Sequence, residues 1–281
     1  MRGMETGKTE IRHRVFTEIA RLAYEGGDYA EALEELTYKI RPGDPDEAGS
    51  YRGSVLYERA VIGERLRLAM GLPMGLQYSI TAIGSVILQT AVNTLGSGAV
   101  AAMTAGSRIS MFMMCPFDAL GSTMATYGGQ NVGAGKYDRL ASGMKSATIL
   151  AAVYSAAILV VIIFLARPLI YLFIDPSDSA NITQVVAQAR QFLITNTCFY
   201  MLLSLVNIVR FLIQGMGFSG FAVFAGVFEM IARALIGLIF VPIFGFTAAC
   251  FASPLAWLFA DCFLLPAFFH CRKKLMRGAC Q

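Results

Sequence analysis

Charged side chains are scarce in this chain. They make up 15% of its 281 residues, where an ordinary soluble domain carries about 25%. Together with 56% hydrophobic residues and a mean hydropathy of +0.58, this excludes a soluble globular protein and points to an integral membrane protein. Histidine is limited to His13 and His270. The six cysteines (Cys115, Cys198, Cys250, Cys262, Cys271, Cys280) form no CxxC pair and have no histidine at ligand spacing, which excludes a metal or iron–sulfur centre. Each cysteine reads as a small buried apolar residue or, in the tail, a reduced thiol. The net charge of +4 comes from basic residues in short loops and at the ends, so nucleic acid is not a partner. No short apolar stretch opens the chain, and no cleavable signal peptide is expected.

The charge that is present lies mostly at one end. Residues 1–70 hold 13 Asp/Glu and 11 Lys/Arg, against 6 and 12 in residues 71–281. Two domains follow: a soluble amphipathic-helical segment over 1–70 and a membrane segment over 71–281. Apolar residues at helical spacing (Val15, Ile19, Leu22, then Ala30, Leu33, Leu36), interrupted by Gly26-Gly27, predict two short helices within 10–37. The Pro, Gly and Asp content of 41–53 predicts a loop, and residues 56–71 a further amphipathic helix. "LAYEGGDYAEALEEL" is similar to half of a tetratricopeptide unit, but one unrepeated copy cannot bury its own face.

From Pro73 the pattern becomes long apolar runs. Six transmembrane helices are expected at about 73–96, 100–128, 146–174, 190–214, 220–243 and 246–269, each long enough to cross about 30 Å of hydrocarbon at about 1.5 Å per residue. Arg59, Arg65 and Arg67 precede the first. Lys136, Arg139 and Lys145 follow the second, and Arg272, Lys273, Lys274 and Arg277 follow the sixth; Asp175 and Asp178 lie on the other side. The positive-inside rule then gives a multi-pass protein of the plasma (inner) membrane with both termini cytoplasmic. "NIT" at 181–183 matches a glycosylation acceptor on the outer side.

"GGQNVGAGKYDR", 128–139, ends like a phosphate loop. A Walker A loop needs Gly where this chain has Gln130 and Ser or Thr where it has Tyr137. The element reads instead as a Gly-turned cytoplasmic exit from the second span, with Lys136 and Arg139 at headgroup level. No constellation for bond-making chemistry is left, and the chain reads as a non-enzyme without a cofactor.

Four stretches together carry a resemblance. They are "GLPMGLQYSITAIGSVILQTAVNTLGSGAVAAMTAG", "GGQNVGAGKYDR", "VRFLIQGMGFSGFAVFAGVFEMIAR" and the final span with "LAWLFADC". Over residues 70–281 they resemble the C-terminal half of a multidrug and toxic compound extrusion (MATE) transporter. The family motif loop is carried by Gln130, Asn131, Gly133, Gly135 and Lys136. The resemblance implies one lobe of a two-lobe antiporter that exchanges organic cations and drugs for Na⁺ or H⁺, the only coupling ions implied. Residues 1–70 also resemble the N-terminal segment of iron-only hydrogenase-like iron–sulfur proteins, through "IRHRVFTEIARLAYEGG", "LEELTYKIRPG" and "ERAVIGERLRLAMG". The cluster-binding cysteine repeats are absent, so no redox chemistry follows.

The predicted fold is thus all-α: one six-helix MATE-like lobe after a short soluble segment. Its candidate cavity residues are Gln77, Asn93, Asn207, Arg210, Glu229 and Arg233. Glu229 and Arg233 sit four residues apart in an otherwise apolar run and can pair, with Arg210 on the preceding span. Charge at membrane depth costs about 2.5–3.5 kcal/mol per residue on insertion scales, so the three face the lobe interior. There they either neutralise one another or leave Glu229 as a coupling group. A carboxylate paired with Arg is a poor proton carrier, which favours the first. In some family members, acidic residues of the lobe's first or fourth span bind the coupling cation. Here those spans hold no carboxylate; they offer Gln77, Gln89, Asn93, Asn196, Ser204 and Asn207, able to line a cavity or to bond between helices. Asp118 and Asp261 are two further membrane-depth carboxylates. Met111, Phe112, Met113 and Met114 offer either packing or a soft drug surface. Partners expected are the bilayer, small organic cations or drugs, and a second lobe or a second copy. The rival reading is a non-transporting truncated or fused membrane fragment, inert or accessory.

Overall fold

The structure, a computed structural model, describes the backbone of residues 48–174 and 182–278, with side chains from residue 71 to 277. The two short helices expected within 10–37, Asp175, Asp178, Asn181 and Cys280 lie outside the described residues. Every regular element described is helical: α1 (Ala48–Asn93), α2 (Ser97–Gly133), α3 (Asp138–Tyr171), α4 (Ile182–Cys198), α5 (Tyr200–Gly215), α6 (Ser219–Leu235), a π-helical turn (Ile236–Phe240), α7 (Val241–Phe244) and α8 (Phe246–Gly278). The loop expected over 41–53 is corrected from Ala48 onward, where α1 begins. Its Gly and Ser are tolerated among Ala, Val, Leu, Glu and Arg, which favour helix. The helices also run through Pro73, Pro116, Pro168, Pro254 and Pro266, as helices in a membrane do when neighbouring groups satisfy the freed carbonyls.

Residues Pro73–Gln281 form a unit of their own. Among the described residues, four helices are long and apolar enough to cross a membrane: Gly71–Asn93, Asp138–Tyr171, Ser219–Phe244 and Phe246–Arg277. Ile182–Cys198 and Tyr200–Gly215, bent by 50°, make a fifth if the pair is one span. Where the sequence predicts one span at 190–214, the chain therefore breaks. Asn196 Nδ2 donates to the Phe192 carbonyl (2.9 Å) and Thr197 Oγ1 to that of Leu193 (2.7 Å), and such back-bonding competes with the backbone ladder and bends helices. The segment expected at 100–128 is helical within α2, but its Gly, Ser and Thr content with Arg108 and Asp118 keeps it below the hydropathy of the other spans. The π-helical turn precedes Pro242, which lacks an N–H and crowds the carbonyl one turn back.

Two apolar clusters form the core. One gathers Val92, Ala102, Ile162, Leu193, Val241 and Cys250, and so joins α4 to one half of the unit. The other gathers Phe117, Leu140, Leu212, Trp257 and Phe268 around α5. Phe117 packs edge-on against Tyr154 and Tyr200, with centroids 5.1 and 5.7 Å apart, a geometry the ring quadrupoles favour. Met113 and Met114 pack against the core while Met111 and Phe112 are exposed. Cys250 and Cys271 are buried, but Cys115, Cys198 and Cys262 are exposed on helix faces, contrary to the expectation of uniform burial.

Without a hydrophobic drive between helices in lipid, close packing of small residues decides which surfaces meet. A Cβ on Gly215 of α5 would run into the Ala125 carbonyl of α2. Because that neighbour is backbone, only separation of the two helices relieves it. Gly215→Ala is expected to cost about 1–3 kcal/mol by overpacking. Gly133→Ala, with nothing within 4 Å of its Cβ, is expected to be neutral. Thermal unfolding of both variants in lipid nanodiscs checks the contrast.

Candidate functional site

Three charges meet inside the unit. Glu229 is 3% exposed, Arg210 7% and Arg233 8%. Arg210 Nη2 donates to Glu229 Oε1, and Arg233 Nη2 lies 3.3 Å from Glu229 Oε2, so each carboxylate oxygen holds one guanidinium. The four-residue spacing puts Glu229 and Arg233 on one face of α6, and α5 supplies Arg210 from across the interface. With all three ionised the cluster carries a net charge of +1. Arg210 Nε and Arg233 Nη1 have no protein partner.

The cluster extends into α1. Gln214, one turn beyond Arg210, donates from Nε2 to Gln77 Oε1 at 2.9 Å, and both residues are buried. A side chain on Gly226 of α6 would come within 3.3 Å of Gln77 and 3.4 Å of Thr81 Oγ1, and one on Gly84 within 3.5 Å of Arg233 Cδ. Gln77, Thr81, Arg210, Gln214, Glu229 and Arg233 are therefore one polar seam where α1, α5 and α6 meet. Gln214 and Thr81 escape a reading based on charge alone. The signal for Gln214 was its position four residues after Arg210, which places it on the same helical face.

Asn207 does not join the seam; its Nδ2 donates to Asp118 Oδ1 of α2 at 3.2 Å. Asp118 itself is exposed, in a row of exposed α2 residues at 104, 108, 111, 115, 118, 122 and 126. The spacing of three and four residues makes this one helical stripe, and except for Met111 its members are Thr104, Arg108, Cys115, Asp118, Ser122 and Thr126. Asn93 lies apart on the exposed side of α1, accepting from Gln89 Nε2 at 3.0 Å. Asn196, besides its own-helix bond, donates to the Cys250 carbonyl of α8 (3.4 Å).

The motif loop builds a turn. The Lys136 N–H donates to the Asn131 carbonyl (2.8 Å) and the Gly135 N–H to that of Val132 (3.0 Å), the paired bonds of a Schellman stop. Gly135, at φ +67°, holds the left-handed position that such a stop requires. Gln130 and Gly133 are exposed, and Asn131 is buried with its Nδ2 on the Tyr127 carbonyl (2.8 Å). Lys136 projects from the surface. Arg272 of α8 reaches this turn, 3.3 Å from the Tyr137 carbonyl and 3.4 Å from Asp138 Oδ1.

The family model described as MatE matches residues 73–243. Among solved structures the chain is similar to a MOP superfamily transporter from Pyrococcus furiosus Vc1, described as having a binding pocket of reverse polarity. The identity is 17% and the TM-score 0.65, over 74% of this chain and 45% of that one. It is also similar to a MATE crystallised with MaL6 (19% identity, TM-score 0.67, 75% of this chain and 47% of that one). A third is an inward-facing multidrug resistance MATE family transporter (18% identity, TM-score 0.63, 84% of this chain and 50% of that one). The chain thus spans about half the length of these structures. No curated protein matches it.

Removing one member of a buried ion network strands the others and costs about 3–5 kcal/mol. Glu229→Gln leaves two guanidiniums without their acceptor and is expected to lose that much. Arg210→Met leaves Glu229 held by Arg233 and is expected to lose clearly less. The order of their unfolding temperatures in nanodiscs checks this, and equal losses would show that the carboxylate is not the hub.

Proposed function

The chain belongs to the MatE family, and on that premise we propose that it is one lobe of a membrane exporter of organic cations and drugs, driven by antiport of Na⁺ or H⁺. It is a membrane transporter rather than an enzyme. The observation that carries the finer reading is the polar stripe of α2. A helix facing lipid presents apolar side chains, as α3 does with exposed Val153, Val160 and Phe164; one that lines a water-filled cleft presents polar ones. On this reading α2 is the sixth span, and it falls short in hydropathy because one side faces the cleft. Asp118, oriented by Asn207, supplies negative charge for a cationic substrate, and the exposed Met111 and Phe112 supply polarisable and aromatic contact.

A second lobe, from another chain or a second copy of this one, closes the cleft from the opposite side. The charge pattern supports cytoplasmic termini in a plasma membrane: Arg272 reaches Asp138 and Tyr137, which puts the basic α2–α3 loop and the basic end of α8 at one end of the unit. The division into a soluble segment over 1–70 and a lobe over 71–281 belongs to the same reading. A second reading follows from the half-length coverage: without a partner lobe the chain is a non-transporting or accessory fragment.

The cleft is tested by labelling. In a cysteine-free background, Thr104→Cys, Ser122→Cys and Thr126→Cys are expected to react with a water-soluble maleimide in intact membranes, and Val153→Cys and Val160→Cys not to react. Equal inertness of both sets removes the cleft. Transport is tested by ethidium efflux from a pump-deficient bacterium. The expectation is efflux above empty vector, falling about tenfold in Asp118→Asn if one charge-assisted contact of about 1.5 kcal/mol is lost. Efflux equal to vector, with the protein in the membrane, favours the fragment reading.

A further inference from the structure

A carboxyl group outside the seam is more deeply buried than its surroundings explain. Asp261 of α8 is 4% exposed, and neither of its side-chain oxygens has a protein hydrogen-bond partner. Its helix packs against both α5 and α6, the helices that carry Arg210, Glu229 and Arg233. On the seam side, Arg210 Nε and Arg233 Nη1 are donors without protein partners. An acid with no donor thus lies on a helix packed against those that hold one positive charge in excess and donors to spare.

The charged and titratable groups around Asp261 are few. From α5 comes Arg210, and from α6 come Glu229 and the Arg233 bound to it. The π-helical turn and α7 contain none. On α4, Arg190 lies by Gln191, which bonds Thr247 at 3.1 Å, near the far end of α8. Tyr200 packs on Trp257, with centroids 6.2 Å apart, and Cys262 is the neighbour in sequence.

We propose that Asp261 is a proton-binding site whose occupancy is exchanged against Arg210. An ionised carboxylate at this depth with no donor is far costlier than the neutral acid, so the arrangement seen here, with Arg210 on Glu229, is the protonated one. In the alternative arrangement the Asp261 O–H bond breaks, the proton leaves to water, and Arg210 turns to the new carboxylate. Glu229 keeps Arg233. No charge is left alone in either arrangement: the cluster with Asp261 carries +1 when protonated and zero when not, and the proton accounts for the difference. This deepens the transport reading by naming where a coupling proton sits, and it rests on that reading only for its purpose.

Infrared spectroscopy of the full chain in liposomes tests it without transport. A protonated-carboxyl band is expected in neutral buffer, shifted by carboxyl-¹³C aspartate labelling and unchanged in Asp118→Asn. It is expected to vanish in Asp261→Asn. On raising the pH the band is expected to disappear in step with a change in the arginine bands that shift on guanidinium-¹⁵N labelling. Absence of any aspartate-labelled acid band in neutral buffer overturns the site. Loss of the band with silent arginine bands overturns the exchange with Arg210. The isotope experiments use the unaltered chain, so the site stays testable should Asp261→Asn not fold. A working band in a chain that exports nothing leaves the site standing and removes the transport reading; efflux without the band does the reverse.

Discussion

Glu229 is held on both sides, by Arg210 from α5 and by Arg233 from its own helix, and the arrangement of α1, α5 and α6 depends on that double pairing. At membrane depth a lone charge is expensive, but a network is tolerated when each member finds its counterpart. The need to bring Arg210 to Glu229 fixes the face that α5 turns to α6. Gln214, one turn on, then meets Gln77, and α1 comes close enough for that contact because α6 offers only Gly226 opposite it. Pairing and close packing act together at this junction.

Much of this was legible in the residues. Run length announced four of the six expected membrane helices, with a fifth if the bent pair is one span, and the four-residue spacing of Glu229 and Arg233 announced a paired cluster, because both are local properties of a helix. Features set by contacts between distant segments were not legible. The break at Phe199 depends on Asn196 and Thr197 turning to their own backbone carbonyls, a choice those residue types leave open in any helix. The π-helical turn depends on how the chain absorbs Pro242. The hydropathy of α2 averages over faces, and this helix has one face in the core and one that is polar. Asp118 and Asp261 looked alike as acids in apolar runs. Only the fold separates the exposed one, bonded to Asn207, from the buried one with no partner.

The motif loop shows how a resemblance can be specific without being chemical. Its Gly135 and the two stop bonds end α2, and a similar pattern ends α5, where the Phe218 N–H donates to the Ile213 carbonyl at 3.1 Å and that of Gly217 to Gln214 at 2.9 Å. Both glycine-rich motifs therefore terminate helices, and the cluster depends on the second: α5 must stop after Gln214 for α6 to return alongside it with Glu229 opposite Arg210. The sequence signature of the family is, in this chain, largely the signature of where its helices stop.

The interior of the unit is nearly self-sufficient, and its surface is not. The Arg–Glu–Arg network and the Gln77–Gln214 bond find their partners within one chain, so no second lobe is needed to bury them. The α2 stripe has no such internal answer. Asp118 stands exposed near the middle of a helix whose other side is core. Against hydrocarbon it would cost about 2.5–3.5 kcal/mol on insertion scales, with the hydroxyls of Ser122 and Thr126 on the same stripe adding to the penalty. That cost is avoided only if water, or another polar surface, lies against this face. A chain about half as long as the structures it resembles thus carries on α2 a face that requires such a surface.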